Sequence, residues 1–574
     1  MKHLLPYLKK YKAESILAPL FKMLEAAFDL IVPLVVADII NVGIAKADKT
    51  YIFGRVGLLL LMALLGLACS FTAQYFAARA AIGTSTALRH KLFSHIGTLS
   101  FADLDKIGNS TLVTRMTADI NQVQNGINMF LRLFLRSPFI VFGAMIMAFS
   151  ISRDIAIVFA VVIPILFLIV FGVMRITNPM YKDSQKKLDA VTSSTRENLS
   201  GVRVVRAFGR ERAENEIFGR VNGALARAQI NAGRIAALMN PMTYVVLNVG
   251  IIAILWFGGK KVDGGALLSG DVIALVNYIS QILVEIVKLA NLVVLLGKAI
   301  VSMGRVGDVL SIEPSMKYGS VKEGKETDEA VRFDGVSLNY SGGDESLSDI
   351  NLVIKKGETV GIIGSTGSGK SSLVGLVARF YDATKGEVTL FGEPIKSWEK
   401  TALRSKVAVV MQRAQLFAGT IRSNLLFGNS GASDEELWAA LEAAQAADFV
   451  RQKENGLDSE VEQGGRNLSG GQKQRLTIAT ALVARPEILI LDDSSSALDY
   501  ATDAALRREL KELPDDMSVI IVSQRTSSIM HADKIFVLDD GDLVGTGTHE
   551  ELLQSCDVYR EIHESVTRGA GEAK

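Results

Sequence analysis

A glycine-rich stretch at Gly364–Ser372 combines residue types that bind phosphate groups. It has the sequence GSTGSGKSS and lies between an apolar run, Thr359–Ile363, and a helical pattern that begins near Leu373. Its small residues allow backbone N–H groups to point at phosphate oxygens, Lys370 adds positive charge, and the Ser371 hydroxyl can ligate Mg²⁺. A flexible Gly/Ser loop has a similar composition, but the order of strand, loop and helix favours a nucleoside triphosphate site. The predicted nucleotide ligands are Gly364, Ser365, Thr366, Gly367, Ser368, Gly369, Lys370, Ser371 and Ser372.

Two further elements that bear on this chemistry follow in the C-terminal part of the chain. The apolar run Ile488–Leu491 ends in Asp492, where a carboxylate is suited to hold Mg²⁺ opposite Ser371. Between that run and the glycine-rich stretch lies LSGGQ, Leu468–Gln472. Glycines also occur at ordinary helix starts, and an apolar strand ending in Asp is weak evidence alone. The combination is much more specific than any one of the three elements.

Composition favours a membrane protein with more than one domain. The chain has 574 residues, 49% of them hydrophobic, and a formal net charge of +1. A balanced charge provides no basic face for nucleic acid, so we expect no such partner. Cys69 and Cys556 are far apart in the sequence and belong to no metal or redox motif, which favours ordinary thiols in a reducing compartment.

Six apolar stretches are long enough to cross a lipid bilayer. They lie at residues 16–40, 52–80, 128–151, 155–176, 241–259 and 272–300. Basic residues accumulate between spans two and three and between spans four and five, which predicts a multi-pass protein of the inner or plasma membrane with its N-terminus and C-terminal domain in the cytoplasm. The opposite connection at Gly258–Asp271 is mildly basic and weakens this rule slightly. We expect the first span to be retained, because no cleavage pattern follows the N-terminal lysines.

The patterns predict a transmembrane domain over residues 1–315, a polar linker over 316–330 and a nucleotide-binding domain over 331–574. An amphipathic segment at 3–14 is either an interfacial helix or a polar tail. The connections between spans keep helical periodicity, which predicts six membrane helices with long cytoplasmic extensions. The last domain alternates helical patterns with short apolar runs, such as Val331–Phe333 and Val336–Tyr340, which is typical of an α/β fold with a partly parallel sheet.

With these motifs in this order, essentially the whole chain resembles an exporter-type half-transporter of the ATP-binding cassette (ABC) family. It is most similar to one subunit of heterodimeric bacterial multidrug exporters. The resemblance implies ATP and Mg²⁺ as cofactors, a second half-transporter as partner, and export of hydrophobic or amphipathic compounds across the lipid bilayer. A homodimeric lipid or peptide exporter with slow ATPase, or a nucleotide-gated channel or sensor, is the alternative. A soluble DNA-repair-type ATPase would have a coiled coil where this chain has apolar spans.

The same resemblance implies a role for individual residues. Tyr340 would stack on adenine and Gln412 would approach Mg²⁺, although in isolation Tyr340 would more often be a packing or turn residue and Gln412 a solvated amide. Ser371, Gln412 and Asp492 would form the metal shell. The motif residues that would bind the nucleotide of the opposite subunit are Leu468, Ser469, Gly470, Gly471 and Gln472. Residues 496–499 would communicate between the two sites, and 100–108 and 205–213 would be coupling helices; for the cytoplasmic connections a solvated helix-bundle surface is the alternative.

Two catalytic positions depart from the family pattern. Where the family has a catalytic Glu, this chain has Asp493, whose carboxylate is one methylene shorter. A base must lie within about 2.6–3.2 Å of the proton it takes, and a misplacement of about 1 Å can cost about 10²-fold in rate. Where the family has a His, this chain has Gln524, which cannot carry an imidazolium charge. We therefore expect a site that binds ATP and hydrolyses it weakly; the alternative is tolerated drift, with Asp493 as a poorer base.

Several ionisable residues lie inside the predicted spans. They are Glu25, Asp29, Arg132, Arg136, Glu285 and Lys288. Intramembrane charges usually face each other or a cavity. The pattern is consistent with a structural set of ion pairs, and equally with a cavity lining that receives cationic or amphipathic substrates. The sequence identifies neither the substrate nor the partner.

Overall fold

The computed structural model describes residues 5–340, 345–512 and 516–571. His3 and Leu4, the first two residues of the predicted interfacial segment, lie outside these ranges, and the chain continues with short helical turns at Leu5–Leu8 and Lys9–Tyr11. The chain divides into two compact units. The first comprises Met1–Gly97 and Asn109–Ile312, and the second comprises Thr98–Gly108 and Glu313–Lys574.

Helices make up the N-terminal part of the chain. They are α1 Leu5–Leu8, α2 Lys12–Asp38, α3 Lys49–Ile96, α4 Phe101–Ile107, α5 Asn109–Thr114, α6 Ile120–Leu133, α7 Arg136–Ile151, α8 Arg153–Ser200, α9 Val202–Ala207, α10 Glu211–Ala237, α11 Met239–Asp263 and α12 Ser269–Leu310. Wide π-type turns at Ile39–Ile44 and Arg115–Asp119 continue α2 and α5. Two prolines, Pro164 and Pro179, lie inside α8.

Within the described residues, six helical segments are long and apolar enough to cross a membrane by length and composition. They are Pro6–Ile44, Lys49–Ile96, Asn109–Ile151, Arg153–Ser200, Glu211–Asp263 and Ser269–Leu310. The expected helical transmembrane domain is thus confirmed. The third segment is interrupted at Phe134 and Leu135, where α6 ends and α7 begins.

The first unit has a continuous apolar core to which α12 contributes most. Tyr278 of α12 is fully buried, and its hydroxyl donates a 2.6 Å hydrogen bond to the backbone carbonyl of Leu30 in α2. At the start of α12 the chain requires glycine, because a Cβ on Gly270 would overlap the carbonyl oxygen of Ala37. The Gly270 N–H donates a hydrogen bond to Asn41 Oδ1 at 2.7 Å. This close approach fixes α12 against α2.

The second unit is an α/β domain with three sheets. Its strands are β1 Glu329–Asn339, β2 Glu345–Lys355, β3 Thr359–Gly364, β4 Lys385–Leu390, β5 Glu393–Pro394, β6 Val407–Val410, β7 Gly419–Thr420, β8 Glu460–Val461, β9 Ile488–Asp492, β10 Ser518–Ser523, β11 Lys534–Asp539 and β12 Asp542–Gly547. Its helices after α4 are α13 Lys370–Val377, α14 Lys400–Lys406, α15 Ile421–Leu425, α16 Asp434–Ala443, α17 Ala447–Arg451, α18 Gly470–Val483, α19 Tyr500–Lys511, α20 Thr526–Ile529, α21 His549–Ser555 and α22 Asp557–Gly571.

The main sheet has the strand order β12-β11-β3-β10-β9-β6, in which only the edge strand β12 is antiparallel among the described strands. A second sheet, β2-β1-β4-β5, is antiparallel, and a third joins β7 to β8. Apolar residues of the two larger sheets form one buried cluster that includes Phe333 of β1, Phe536 of β11 and Trp398. A second cluster joins the main sheet to α16 and α18. The fold class expected from the sequence is confirmed.

Details of this domain differ from the sequence prediction. The predicted runs 331–333 and 336–340 belong to one strand, β1, which has a register shift between Phe333 and Val336 and ends at Asn339, one residue before the predicted end. Helix α13 begins at Lys370, three positions before the predicted start at Leu373, because the helical turn already includes the end of the glycine-rich loop.

Helix α4 belongs to the compact unit that holds the α/β domain. Ser100 caps it, and the side chain of Asp103 accepts hydrogen bonds from the Ser100 and Ser315 backbone N–H groups at 3.1 and 3.0 Å. Burial alone would raise the pKa of Asp103, but these hydrogen bonds lower it overall. The Phe101 ring lies 4.7 Å from that of Phe380, between ring centres. The start of α4 is thus held by both polar and aromatic contacts.

Candidate nucleotide site

Four parallel strands that are neighbours in the main sheet bring the predicted site residues to one edge. The order β3-β10-β9-β6 places the glycine-rich loop, Gln524, Asp492 and Gln412 after or at the carboxyl ends of successive strands. The register confirms that these ends are level, since Ser523 pairs with Ile363. Ligands of open α/β sheets bind at this edge.

The glycine-rich loop leads directly into α13. Gly369, the residue before the helix, has φ of 94°, a conformation that glycine adopts without strain. A Cβ at this position would lie 2.6 Å from the Ser346 carbonyl oxygen. No side chain caps α13, so the first backbone N–H groups of the helix remain available to an anion.

The ammonium group of Lys370 is turned into its own loop. It donates hydrogen bonds to the carbonyls of Gly364 and Ser365 at 2.8 and 2.5 Å and to Ser368 Oγ at 3.3 Å, and the residue is 8% exposed. Burial lowers its pKa, an effect that the nearby carboxylates of Asp492 and Asp493 oppose. A phosphate group would offer stronger acceptors for this ammonium than the loop carbonyls do.

Ser371 and Asp492 form a pair of hard oxygen ligands. The Ser371 hydroxyl donates to Asp492 Oδ1 at 3.3 Å, and Asp492 is 8% exposed at the end of β9. Burial raises the pKa of this carboxyl group, while the hydrogen bond from Ser371 opposes the rise. A divalent cation would relieve the cost of the buried charge.

Asp493 lies beside Asp492 in an unusual backbone conformation. Its φ is 45°, in the left-handed region that Asp and Asn tolerate better than longer side chains. Its Oδ2 accepts a 2.9 Å hydrogen bond from Gln412 Nε2, and its backbone N–H donates to the Val522 carbonyl at 3.0 Å. Gln412, which lies shortly after β6, therefore orients the Asp493 carboxylate.

Gln524 lies just after β10, the strand between β3 and β9. Its Oε1 is 3.5 Å from the Thr366 hydroxyl, a weak hydrogen bond that joins the loop after β10 to the loop after β3. Both side chains are exposed. This arrangement places the amide next to the loop that would hold the terminal phosphates.

Tyr340 lies immediately after β1 and contacts the start of α13. Its hydroxyl donates to Ser372 Oγ at 3.1 Å, and its ring meets that of Tyr381 edge-on at 4.9 Å between centres. Burial raises the pKa of Tyr340. Tyr381, in turn, donates from its hydroxyl to Asp105 Oδ2 of α4 at 2.7 Å. The sequence analysis missed Tyr381, because no motif distinguishes it from other residues after α13.

The LSGGQ motif covers the N-cap residue Ser469 and the start of α18. Ser469 Oγ accepts from the Gln472 N–H at 3.2 Å, and Gln472 Oε1 accepts from the Ser469 N–H at 3.0 Å. Among the described residues, no hydrogen bond links Leu468–Gln472 to Gly364–Ser372. Further along, Asp499 caps α19 through the Thr502 N–H at 2.9 Å.

The site fits a Mg²⁺–nucleotide complex. Loop N–H groups and Lys370 suit the phosphates, whereas Ser371 and Asp492 supply the hydroxyl and carboxylate that Mg²⁺ prefers. Within the part of the chain that the structure describes, no cluster of three or more His, Cys, Asp or Glu side chains could hold a metal alone.

A phosphate-binding loop on a parallel sheet, preceded by helices that can span a bilayer, defines a membrane-attached P-loop nucleotide-binding protein. The chain matches the family described as ABC transporter transmembrane region over residues 15–287 and the family described as ABC transporter over residues 347–496.

Proteins of similar sequence agree with these matches. An uncharacterized ABC transporter ATP-binding protein of Mycobacterium tuberculosis is 35% identical, and one of Bacillus subtilis is 33% identical, each over 98% of both chains. A putative ABC transporter ATP-binding protein of Mycoplasma genitalium is 30% identical over 97% of this chain and 96% of its own. The chain belongs to the ABC transporter family. It is a multi-pass membrane protein and an exporter-type half-transporter, with one membrane domain followed by one ATP-binding domain.

Proposed function

We propose that this half-transporter works in a heterodimer that exports hydrophobic or amphipathic compounds. In this proposal its own P-loop holds Mg²⁺–ATP at a weakly hydrolytic site, and its LSGGQ motif completes the catalytic site of a partner with the family's Glu and His. One chain carries one cassette and one membrane domain, whereas the transport cycle needs two of each.

The hydrogen bond between Gln412 and Asp493 carries the proposal. A general base needs a free carboxylate oxygen close to the attacking water. Here the shorter carboxylate has one oxygen engaged by an amide at 2.9 Å. A Gln at position 524 in turn offers an amide without positive charge for the γ-phosphate. The residues that bind nucleotide are complete, while those that promote hydrolysis are weakened.

The chain's residues would then divide the work as follows. Lys370 and the loop N–H groups would hold the phosphates, and Ser371 and Asp492 would hold Mg²⁺. Tyr340 would stack on the adenine ring. The capped start of α18, at Ser469, directs its backbone N–H groups and positive helix end toward the partner's nucleotide.

Nucleotide binding favours the conformation in which two cassettes are closed, and hydrolysis at the partner's site resets the cycle. Helix α4 and the segment at 205–213 would pass that change to the membrane helices. The contact of Tyr381 with Asp105 supports this role for α4.

The test compares ATP hydrolysis by this chain alone with that by the complex it forms with the half-transporter that copurifies in mild detergent. We expect negligible turnover from the homodimer and robust turnover from the complex. Mutating the partner's P-loop Lys should leave only the slow turnover of this chain's own site, whereas Lys370→Ala should reduce turnover much less. Robust ATPase from a pure homodimer, or no loss with the partner variant, would show that the proposal is wrong.

A second measurement separates a pump from a gate. In proteoliposomes, an exporter accumulates substrate against its gradient when ATP is present, whereas a nucleotide-gated channel only equilibrates it. Accumulation above the equilibrium level supports export, and ATP-dependent equilibration alone contradicts it.

A further inference from the structure

The short helix α20 begins two residues after Gln524. Arg525 lies between them, and its backbone N–H donates a hydrogen bond to Ser523 Oγ at 3.0 Å. Gln524 therefore belongs to a short connection between β10, which is paired on both sides in the main sheet, and α20. Because this connection is short, the position of the Gln524 amide depends on how α20 is held.

The middle and the end of α20 are anchored against β3 and α19. Ile529 is 1% exposed and packs on Gly361, where a Cβ would lie 2.7 Å from the Cβ of Ile529. Arg507 of α19 donates from Nη1 to the backbone carbonyl of Ser527 at 2.6 Å. The same guanidinium is paired with Asp503 at 2.6 Å, which fixes its direction. These contacts do not reach the side chain of the first residue of α20.

That first residue, Thr526, is held by the C-terminal helix α22. Its hydroxyl oxygen lies 2.9 Å from His563 Nδ1, within hydrogen-bond distance. Thr526 is 2% exposed, and among the described residues this is the only hydrogen bond of its hydroxyl. A buried hydroxyl that loses its partner is destabilising, so this bond opposes movement of Thr526 away from α22.

Helix α22 is itself fixed close to His563. Tyr559, one turn earlier, is fully buried, and its hydroxyl is hydrogen-bonded to His549 Nδ1 of α21 at 2.6 Å. The rings of His549 and His563 meet at 66° with 5.3 Å between their centres. Arg560 Nε donates to the backbone carbonyl of Leu553 at 3.0 Å. Helix α22 can therefore serve as a fixed support for Thr526.

We propose that His563 is a positioning residue for nucleotide binding. Through Thr526 it holds the segment that carries Gln524 beside the glycine-rich loop, and it thereby sets the preference of this site for a nucleoside triphosphate over a diphosphate. The contact of Gln524 with Thr366 is weak, at 3.5 Å, so a small displacement of α20 is enough to break it. The inference rests on the proposed place of Gln524 beside the γ-phosphate.

The triphosphate preference distinguishes a positioning role from a purely structural one. A diphosphate lacks the phosphate group that Gln524 would contact. Displacement of Gln524 therefore weakens triphosphate binding and leaves diphosphate binding unchanged. General loosening of the domain, in contrast, weakens the binding of both nucleotides.

The test uses the complex of this chain with its copurifying partner, whose P-loop Lys is mutated so that this chain's site dominates binding. Dissociation constants of ADP and of AMP-PNP, a triphosphate that is not hydrolysed, are measured with Mg²⁺ by displacement of a fluorescent ADP analogue. We expect Thr526→Val and His563→Phe each to weaken AMP-PNP binding about three- to tenfold and to leave ADP binding unchanged. The double variant should lose no more than either single variant, because both changes remove the same bond.

Two further variants serve as controls. His563→Asn should restore the preference, because its amide can occupy the place of Nδ1 beside the Thr526 hydroxyl. His549→Phe makes the same ring exchange in the same cluster and removes the bond to Tyr559, so it should lower the melting temperature without changing the preference. If His563→Phe does not fold, Thr526→Val, which keeps the shape of the side chain, tests the same bond.

Equal weakening of AMP-PNP and ADP binding, or a preference that Thr526→Val and His563→Phe leave intact, would overturn the proposal. An equally large change of preference in His549→Phe would do the same. Gln524→Ala separates this inference from the placement on which it rests. If Gln524→Ala lowers the preference and Thr526→Val does not, the role of His563 alone is wrong. If Gln524→Ala leaves the preference unchanged, the placement of Gln524 is wrong as well.

Discussion

The side-chain amide of Gln412 donates a 2.9 Å hydrogen bond to the carboxylate of Asp493, joining the ends of β6 and β9. Both residues lie just beyond the carboxyl ends of neighbouring strands, and the bond holds the candidate base Asp493 next to Gln412, a residue of the predicted metal shell. The amide occupies one oxygen of this carboxylate and fixes its orientation.

Asp493→Glu should strengthen hydrolysis at this chain's own site. The added methylene moves the carboxylate toward the attacking water, and we expect a rise of about ten- to 100-fold in turnover. The gain is limited because Glu is less easily accommodated than Asp at a φ of 45°. The measurement is ATPase activity of the complex with the partner's P-loop Lys mutated. Asp493→Asn is the control and should not raise turnover; equal rates for Glu and Asn would contradict the assignment.

Ser469→Ala should suppress hydrolysis at the partner's site. Loss of a helix cap costs about 0.5–2 kcal/mol. At Ser469 the substitution also removes a hydrogen-bond donor from the LSGGQ motif. Ser433 caps α16 with the same reciprocal bonds, to Glu436, and lies outside any predicted site. We expect about 10²-fold slower turnover of the complex for Ser469→Ala and normal turnover for Ser433→Ala. Similar losses in both variants would indicate that the cap acts only through stability.

Tyr381→Phe should weaken the link between nucleotide binding and α4. The ring that meets Tyr340 is kept, and the hydrogen bond to Asp105 is lost, at about 0.5–1.5 kcal/mol. We expect unchanged ATP affinity and reduced stimulation of the ATPase by transported compounds. Tyr340→Phe keeps the stacking surface and removes the bond to Ser372, so it serves as a control with normal stimulation. Weaker ATP binding by Tyr381→Phe would instead indicate that Tyr381 contributes to adenine binding.

Asp492→Asn should stabilise the nucleotide-free complex at neutral pH. Burial raises the pKa of Asp492, so between its ordinary pKa of 3.8 and the raised value the folded state binds more protons than the unfolded state. The free energy of unfolding therefore falls as pH rises through that window, and the full cost is present at pH 7. The stabilising effect should disappear below pH 3.8, where both states are protonated.

Thermal unfolding with and without Mg²⁺–ATP measures this effect. In the absence of nucleotide, Asp492→Asn should have a higher melting temperature than the wild type. Mg²⁺–ATP should raise the melting temperature of the variant less, because the variant lacks a carboxylate that binds Mg²⁺. Asp499→Asn is a matched control, since Asp499 is an exposed helix cap and Asn caps helices as well as Asp does. A lower melting temperature of ligand-free Asp492→Asn at pH 7 would contradict the prediction.

Local patterns in the sequence predicted the glycine-rich loop and the ends of its neighbouring strands, but not the contacts between them. The glycine-rich loop and the strand that ends at Asp492 follow from local patterns, because each element is contiguous. The contacts of Gln412 with Asp493 and of Thr366 with Gln524 depend on the strand order β3-β10-β9-β6. That order is set by tertiary pairing and has no signal in a single sequence.

Among the charged residues of the membrane helices, too, only contacts within one helix could be predicted from the sequence. Spacing predicted neighbours along one helix, such as Glu285 and Lys288, and the structure contains that pair at 2.8 Å. It also contains Arg136 between carboxylates of two other helices, Asp29 and Glu285, an arrangement that depends on helix packing. The roles of the predicted site residues remain predictions until the variants above are measured.

The two prolines of α8 affect how this helix can bend. A proline inside a helix removes one hydrogen bond from the backbone ladder and leaves the carbonyl four residues earlier without it. For Pro179 that carbonyl belongs to Arg175, next to the expected membrane boundary at residue 176. A 48-residue helix is about 72 Å long, and the lipid core takes up only about 30 Å of such a length. The backbone ladder of α8 is therefore interrupted twice, once inside the expected span at Pro164 and once near its boundary at Pro179, so a sideways force on the far end of α8 can bend the helix at both places.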